Sequence, residues 1–389
     1  MTAQLKLFDN LTGIDKTIMD KSKPIKIFNC GPTVSDFIHI GHFRNALLVD
    51  VLIRILSEIG YKDVLYVSNV SNISQKIYNR SLREKDRSWS ELGMYYMYQW
   101  IKDLSVCNVI TPNIIMPDTN HVNSIINFVQ NLLNMNVAYE TQKGVYYKIK
   151  YLHDIFDKNN IKNLPLIKAI HDNNEDILIW EKVFDSSDNM VWNSPWGNGR
   201  PGKHIPCSDV IDQYCGEDDY LIHCAGDDLY YHHSCEISHN LIGKKNSKIA
   251  DIWVYNSLVN VEDQKMGKSL GNSVPLRELI KRYSPESIRW YLLSFKFSSV
   301  IKYSEKDLSK AALEWEKIES KIKNFKKVKR SNDNKFYYEK VIAELSNNLN
   351  TAKALQIINA QTVNSIDISV INTSVYLLDM LGFNIENTI

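Results

Sequence analysis

Residues 24–70 constrain the fold more than any other stretch of the chain. Pro24 to Asn29 (Pro-Ile-Lys-Ile-Phe-Asn) has the apolar content of a strand and runs into the turn-forming Cys30-Gly31-Pro32-Thr33. From Gly41 to Leu56, apolar residues recur at helical spacing (Ala46, Leu47, Val49, Val51, Leu52, Ile55, Leu56) and stop before Gly60. Asp63 to Val70 reads as a second strand. A strand, a glycine turn, a helix and a strand form a βαβ unit, which makes the strands parallel and places a site at their C-terminal ends. The expected class is α/β, with a Rossmann-like parallel sheet.

The rest of the chain divides around that unit. Residues 1–87 are expected to form the first half of the sheet domain. An inserted subdomain is expected over 88–190, helix-rich with a short β segment near Val145-Tyr146-Tyr147. Strands near Gly202 to Ile205, Tyr220 to His223 and Ile252 to Asn260 complete the sheet domain over 191–283. From Ser284 the pattern is helical: Ile288 to Phe295, then a charged helix from Ser304 to about Lys327. A polar stretch, Lys326 to Asn334, precedes a last helical hairpin ending near Leu381, so 284–389 is expected to be a helical domain.

At 389 residues the chain can bury a large core, and 44% hydrophobic with 23% charged residues is an ordinary globular composition. A net charge of +1 gives no global attraction for nucleic acid, so any such contact must come from local patches. No apolar run reaches membrane-spanning length and Met1 to Gly13 does not read as a signal peptide, so the cytoplasm is the expected compartment. The six cysteines (Cys30, Cys107, Cys207, Cys215, Cys224, Cys235) are scattered, as thiols or metal ligands are, rather than set out as a disulfide framework.

Two short basic signatures carry chemistry. His39-Ile40-Gly41-His42 falls where the first helix begins, and helix N-termini attract phosphate. Lys265-Met266-Gly267-Lys268-Ser269 follows the last expected strand. In this order the pair resembles the HIGH and KMSKS signatures of class I aminoacyl-tRNA synthetases. The resemblance implies attack of a carboxylate on the α-phosphate of ATP, giving an acyl-adenylate and pyrophosphate. Cationic donors suit that step because negative charge builds on the phosphates in the transition state.

A second set bears on the acid. Cys30 and Cys207 each follow an expected strand, and His232 and Glu236 stand four apart, on one face if that segment is helical. Two thiolates, an imidazole and a carboxylate suit Zn²⁺. By spacing alone the same residues read more readily as core cysteines and a surface histidine, because ligands so far apart in the chain form no local motif. The surrounding segments narrow the choice. Phe28-Asn29-Cys30-Gly31-Pro32-Thr33-Val34, Ser194-Pro195-Trp196-Gly197, Gly199-Arg200-Pro201-Gly202, His204-Ile205, Cys207-Ser208, His232-His233 with Glu236-Ile237, and Lys265 to Asn272 resemble cysteinyl-tRNA synthetases from about Leu5 to Leu381. They resemble the mycothiol-pathway cysteine ligase equally well.

What the resemblance implies is one zinc on Cys30, Cys207, His232 and Glu236 that takes the thiolate of L-cysteine or a thiol analogue. It implies that His39, His42, Lys265 and Lys268 are catalytic, with Mg²⁺ on the triphosphate. ATP and the adenylate are expected against Gly31, Pro32, Thr33, Gly41, Ser71, Gly226 and Asp228, and the amino acid against Cys30, Thr33, Ser71 and Lys203. His204, His223 and His233 are open between substrate polarisation and structure, and Cys235 beside Glu236 could compete for the ion.

The chain departs from the family pattern in three ways. Lys203 stands where tryptophan is usual, either turned outward or contacting a carboxylate on a modified substrate. The segment usually Thr-Asp-(Ile/Val)-Asp-Asp-Lys reads Ser71-Asn72-Ile73-Ser74-Gln75-Lys76, and the usual triple glycine reads Cys224-Ala225-Gly226. Only seven residues follow Tyr376 to Gly382, without the family's anticodon-reading domain. The expected activity is therefore cysteine activation with a small-molecule amine as the favoured acceptor. A truncated enzyme charging tRNA, or an inactive paralogue with a binding role, are the alternatives. The Lys321, Lys323, Lys326, Lys327, Lys329 and Arg330 run is expected to be a solvated helix end.

Overall fold

The computed structural model describes residues 4–158, 164–215, 219–243, 250–261, 264–266 and 271–385. The chain opens with an antiparallel hairpin, β1 (Leu5–Asp9) and β2 (Ile14–Ile18). The expected βαβ unit follows as β3 (Ile25–Asn29), α1 (Ile40–Glu58) and β4 (Val64–Val70), with β3 and β4 parallel. Next come α2 (Gln75–Glu84), α3 (Trp89–Val106) and β5 (Ile114–Pro117). Ser88 caps α3 and Glu91 answers it by accepting the Ser88 N–H at 2.8 Å, a capping box. Beyond β5 lie α4 (Val122–Asn134), β6 (Ala138–Glu140), β7 (Gly144–Tyr147), α5 (Ile149–Lys158), α6 (Leu164–His171), β8 (Ile177–Lys182) and β9 (Gly199–Pro201).

The chain returns to the main sheet through α7 (Ile205–Tyr214), β10 (Tyr220–Gly226), α8 (Tyr230–Gly243) and β11 (Ile252–Asn256). A smaller region holds β12 (Val259–Val261), β13 (Gln264–Lys265), α9 (Leu276–Ile280), α10 (Pro285–Leu293), β14 (Ile301–Tyr303) and α11 (Glu305–Lys323). The last helices are α12 (Lys335–Leu345), α13 (Thr351–Asn364) and α14 (Ile368–Met380). No described helix is long and apolar enough to cross a membrane.

The main sheet is parallel and five-stranded, in the order β11-β10-β3-β4-β5. From β3 the chain builds outward through β4 to β5, then returns to lay β10 and β11 on the other side of β3. That reversal between β3 and β10 is a switch point, where the strand ends open a crevice. Alternate strand residues face opposite layers. Ile25, Ile27, Tyr66, Ile222, Cys224 and Ile252 join one core with α1 and the C-terminal helices. Phe28, Val67, Leu221, Ala225, Trp253 and Tyr255 join another on the opposite side. β6, β7, β8 and β9 form a separate antiparallel sheet packed with α4.

Several local expectations change. β5, inside the range expected to be inserted, is the edge strand of the main sheet. Gly202 to Ile205 is not a strand: the preceding β9 belongs to the antiparallel sheet, and Ile205, with proline next to it, begins α7. Ile252 to Asn260 breaks at Ser257-Leu258, and β12 pairs instead with β13 and β14 in a three-stranded sheet. The last helical hairpin is three helices, α12 to α14.

Candidate active site

The His39 to His42 signature builds the start of α1. His39 is the N-cap, and its Nδ1 accepts from the backbone N–H of Gly41 at 3.2 Å and of His42 at 3.4 Å. His42 replies, its Nδ1 accepting from the His39 N–H at 3.4 Å, and the rings stack with centroids 3.7 Å apart. A ring nitrogen that accepts carries no proton, so each neutral ring holds its proton on Nε2 and is a donor there. Helix start and two imidazole donors together form a surface suited to phosphate.

The second signature meets the first through Met266. This residue is buried, its Sδ accepts from the Val274 N–H at 3.3 Å, and a Cβ on Gly41 would lie 3.1 Å from its methyl. Ile40 N–H donates to the Val274 carbonyl at 3.0 Å and Leu276 N–H to the Ile38 carbonyl at 3.0 Å, so the segment leading into α9 is stitched to the helix start. Lys265 contributes its backbone to β13 opposite Asn260. Its side chain, with Lys268 and Ser269, lies outside the described residues. Arg44, wholly buried, adds a clamp: its guanidinium donates to the carbonyls of Ser257, Leu258, Lys296, Phe297 and Ser299 at 2.7–3.2 Å.

Cys30, Cys207, His232 and Glu236 converge, with candidate ligand atoms all within 4.8 Å of one another. Cys30 continues β3, Cys207 sits in the first turn of α7 rather than after a strand, and His232 and Glu236 share a face of α8. The Cys30 and Cys207 sulfurs are 3.7 Å apart, Cys30 Sγ is 3.4 Å from Glu236 Oε1, and His232 Nε2 is 3.4 Å from Cys207 Sγ and 2.6 Å from Glu236 Oε1. The hydrogen bond with Cys207 favours the Cys30 thiolate, but burial and the Glu236 charge outweigh it and push the thiol up to about 12. Cys207 is raised well above the ordinary thiol by its bond to Cys30, burial and Glu236. Burial opposes the His232 cation, yet Glu236 and Cys207 raise it to about 10, while His232 and His223 hold the buried Glu236 carboxyl low. Two histidines that the sequence left open between substrate polarisation and structure support the cluster. His204 Nδ1 lies 2.6 Å from His232 Nδ1, and His223 Nε2 lies 3.0 Å from Glu236 Oε2. Partners of this kind orient metal ligands. A set of two buried sulfurs, one half-buried imidazole and one buried carboxylate, backed this way, suits a tetrahedral metal such as zinc. His223 and His233 also form a second possible set with Cys30 and Glu236. Cys235 belongs to neither set.

The cluster opens into a cleft of about 1320 Å³ lined by Cys30, Gly31, Thr33, Ser71, Asp118 and Lys203, among others. Thr33 and Ser71 pair as an isolated bridge, and Ser71 N–H donates to the Pro32 carbonyl at 3.2 Å, extending the β3–β4 ladder to the cleft. Gly31 is required there, since a Cβ would fall 1.9 Å from the Asn69 carbonyl oxygen. Gly226 ends β10 at the same sheet edge, and a Cβ on it would meet Asp228 Oδ1 at 2.7 Å. Lys203 is exposed on the cleft wall. The three departures at Asn72, Ser74 and Gln75 have structural duties: Asn72 exchanges hydrogen bonds with Thr119, Ser74 caps α2, and Gln75 accepts from Arg200 at 3.0 Å. Asp118 was missed from sequence, although a carboxylate at the end of a parallel strand is a position that would have flagged it.

The sequence model described as tRNA synthetases class I (C) catalytic domain matches residues 16–313. The cysteine–tRNA ligase of Blochmanniella floridana is 32% identical over 377 residues, covering 91% of this chain and 77% of that one. That of Mycoplasma mycoides is 31% identical over 406 residues, covering 98% and 90%. Mycobacterium tuberculosis methionyl-tRNA synthetase, solved with methionyl-adenylate, shares the fold with a TM-score of 0.66 at 11% identity, covering 92% and 89%. The matched domain spans both signatures and three quarters of the sequence, and the chain therefore belongs to the cysteinyl-tRNA synthetase family of class I, the ATP-dependent ligases.

Proposed function

We propose that this protein activates L-cysteine with ATP and transfers the cysteinyl group to tRNA. The observation that carries the first step is the convergence of Cys30, Cys207, His232 and Glu236 on the cleft at the C-terminal edge of β3, from which the chain runs on to the His39 start of α1. Zinc, when bound by these four residues, supplies a soft Lewis-acid position that prefers a thiolate to a hydroxyl. In our reading Thr33, Ser71 and Lys203 line the amino-acid end of the cleft, and Gly31, Pro32, Gly41, Gly226 and Asp228 the nucleotide end. A cysteine carboxylate oxygen attacks the α-phosphorus, the bond to the bridging oxygen breaks, and pyrophosphate leaves with Mg²⁺. His39 and His42 donate from Nε2 to the phosphates as charge moves onto them, and Lys265 and Lys268 are assigned the same task from the loop. The proposed compartment is the cytoplasm, which keeps Cys30 and Cys207 reduced.

For the acceptor, the relatives' names specify tRNA, and the expected small-molecule amine gains no support from them. Metal-loaded protein is expected to bind L-cysteine at least about 100-fold more tightly than L-serine by titration calorimetry. Equal affinity would remove the thiolate reading. Incubation with ATP, cysteine and deacylated tRNA is expected to give cysteinyl-tRNA; cysteinyl amide formation on a small amine without tRNA charging would reverse the choice of acceptor.

A further inference from the structure

Asp118 has a chemistry that neither the metal cluster nor the triphosphate surface uses. It follows β5, begins the 3₁₀ turn Asp118–Asn120, is 1% exposed, and lines the same cleft as Cys30, Ser71 and His232. Its Oδ2 accepts from the Ser71 hydroxyl at 3.0 Å. Its Oδ1 is buried and has no hydrogen-bond partner among the described residues. A carboxylate oxygen left in that condition is destabilising unless a donor or cation reaches it.

His121 does not fill that role. Its Nδ1 is committed to Asp209 at 2.6 Å, and its Nε2 likewise has no hydrogen-bond partner among the described residues. Burial pushes the Asp118 carboxyl up to about 7 against the opposing pull of His121, Ser71, the Ile73 amide and His232. The Asp118 charge also helps to raise Cys30, so its field reaches two members of the metal cluster, Cys30 and His232. The cleft thus presents a sulfur-ligating cluster and, among its other lining residues, a buried carboxyl group held in place by Ser71.

We propose that Asp118 is a specificity-determining residue that receives the α-ammonium of the amino-acid substrate. The assignment rests on the cysteine reading above: the cluster takes the sulfur, Asp118 Oδ1 takes the ammonium, and the α-carboxylate is left as the substituent that attacks ATP. With sulfur, ammonium and carboxylate each directed to a different place, the site favours one enantiomer over the other. A thiol without an amine engages only the cluster.

Titration of metal-loaded, full-length protein with L-cysteine and with 3-mercaptopropionate tests this directly. Asp118→Asn is expected to weaken L-cysteine about tenfold or more while leaving 3-mercaptopropionate within about twofold, because a charge-assisted hydrogen bond is lost and nothing else moves. Ser71→Ala, which releases Oδ2, gives the same selective loss to a smaller degree and serves if Asp118→Asn does not fold. Unchanged cysteine affinity in both variants, or an equal loss for both thiols, would overturn the assignment. Wild-type protein that binds both thiols equally well would overturn it while leaving the cysteine reading intact. Wild-type protein that binds neither would overturn that reading and the Asp118 role with it.

Discussion

The metal cluster must shed protons before it can hold an ion. Cys30, Cys207 and His232 all have raised pKa values, for the electrostatic reasons given above, so the metal-free site binds more protons than the loaded one. Metal affinity is therefore expected to rise with pH, and chelator competition at about pH 6 and about pH 8 checks this; a flat profile would contradict it. Replacing His204 with phenylalanine removes the contact to His232 Nδ1 and is expected to weaken metal binding about 10–100-fold by the same assay. Asp118 has the opposite consequence for folding. Its carboxyl is raised from 3.8 to about 7 in the native protein, so across that window the native state holds a proton that the unfolded chain has lost. Stability then falls as pH rises through the window, and urea midpoints of the wild type are expected to decline relative to Asp118→Asn between those values. At this scale four-residue spacing put His232 and Glu236 on one helix face, but only the family resemblance marked them, with the two cysteines, as ligands. His204 and His223 were left open between substrate polarisation and structure, and Asp118 was not picked out, since each comes from a different element and only the folded sheet brings them together.

α1 is the element that joins the two signatures. It was readable because apolar residues recur at helical spacing from Gly41 to Leu56, although the folded helix is buried nearly all round. Its attachment was not: Arg44 looks like a surface charge in sequence, yet it is buried against five carbonyls from the 257–258 and 296–299 segments. Arg44→Met leaves those acceptors without a donor and is expected to cost about 3–5 kcal/mol in urea unfolding, with a loss below about 1 kcal/mol contradicting the clamp. Met266→Ala tests the contact between the signatures, with an expected loss of about 2–5 kcal/mol from the cavity, whereas Met266→Leu, which keeps the volume but loses the sulfur acceptor, is expected to cost less than about 1.5 kcal/mol. Elements whose signal was short were the ones misread. β5 is only four residues and ends in proline, and the apolar residues near Ile205 serve a helix start rather than a strand.

Across the whole molecule, the C-terminal helices are locked to the sheet domain by a buried network. Arg289 in α10 pairs with Asp50 of α1 at 2.5 Å and donates to the carbonyls of Leu381, Cys107 and Asn108. Asp50 in turn accepts from Arg54 and from the Ile110 N–H, both at 2.9 Å. The order of the sheet could not be read in advance, because hydrophobic periodicity names strands but not their neighbours. In the lysine-rich run, Lys321 and Lys323 close α11 and the remaining basic residues follow it; Lys323 pairs with Glu319, Arg330 with Asp379, and Lys321 lies over Phe325. The central claim concerns the acid that the molecule activates, and cysteine-dependent exchange of labelled pyrophosphate into ATP tests it most directly. Exchange with L-cysteine, negligible exchange with L-serine, and a loss of at least about 100-fold in Cys207→Ala are predicted. Equal exchange with serine, or none with cysteine in metal-loaded protein, would contradict the account.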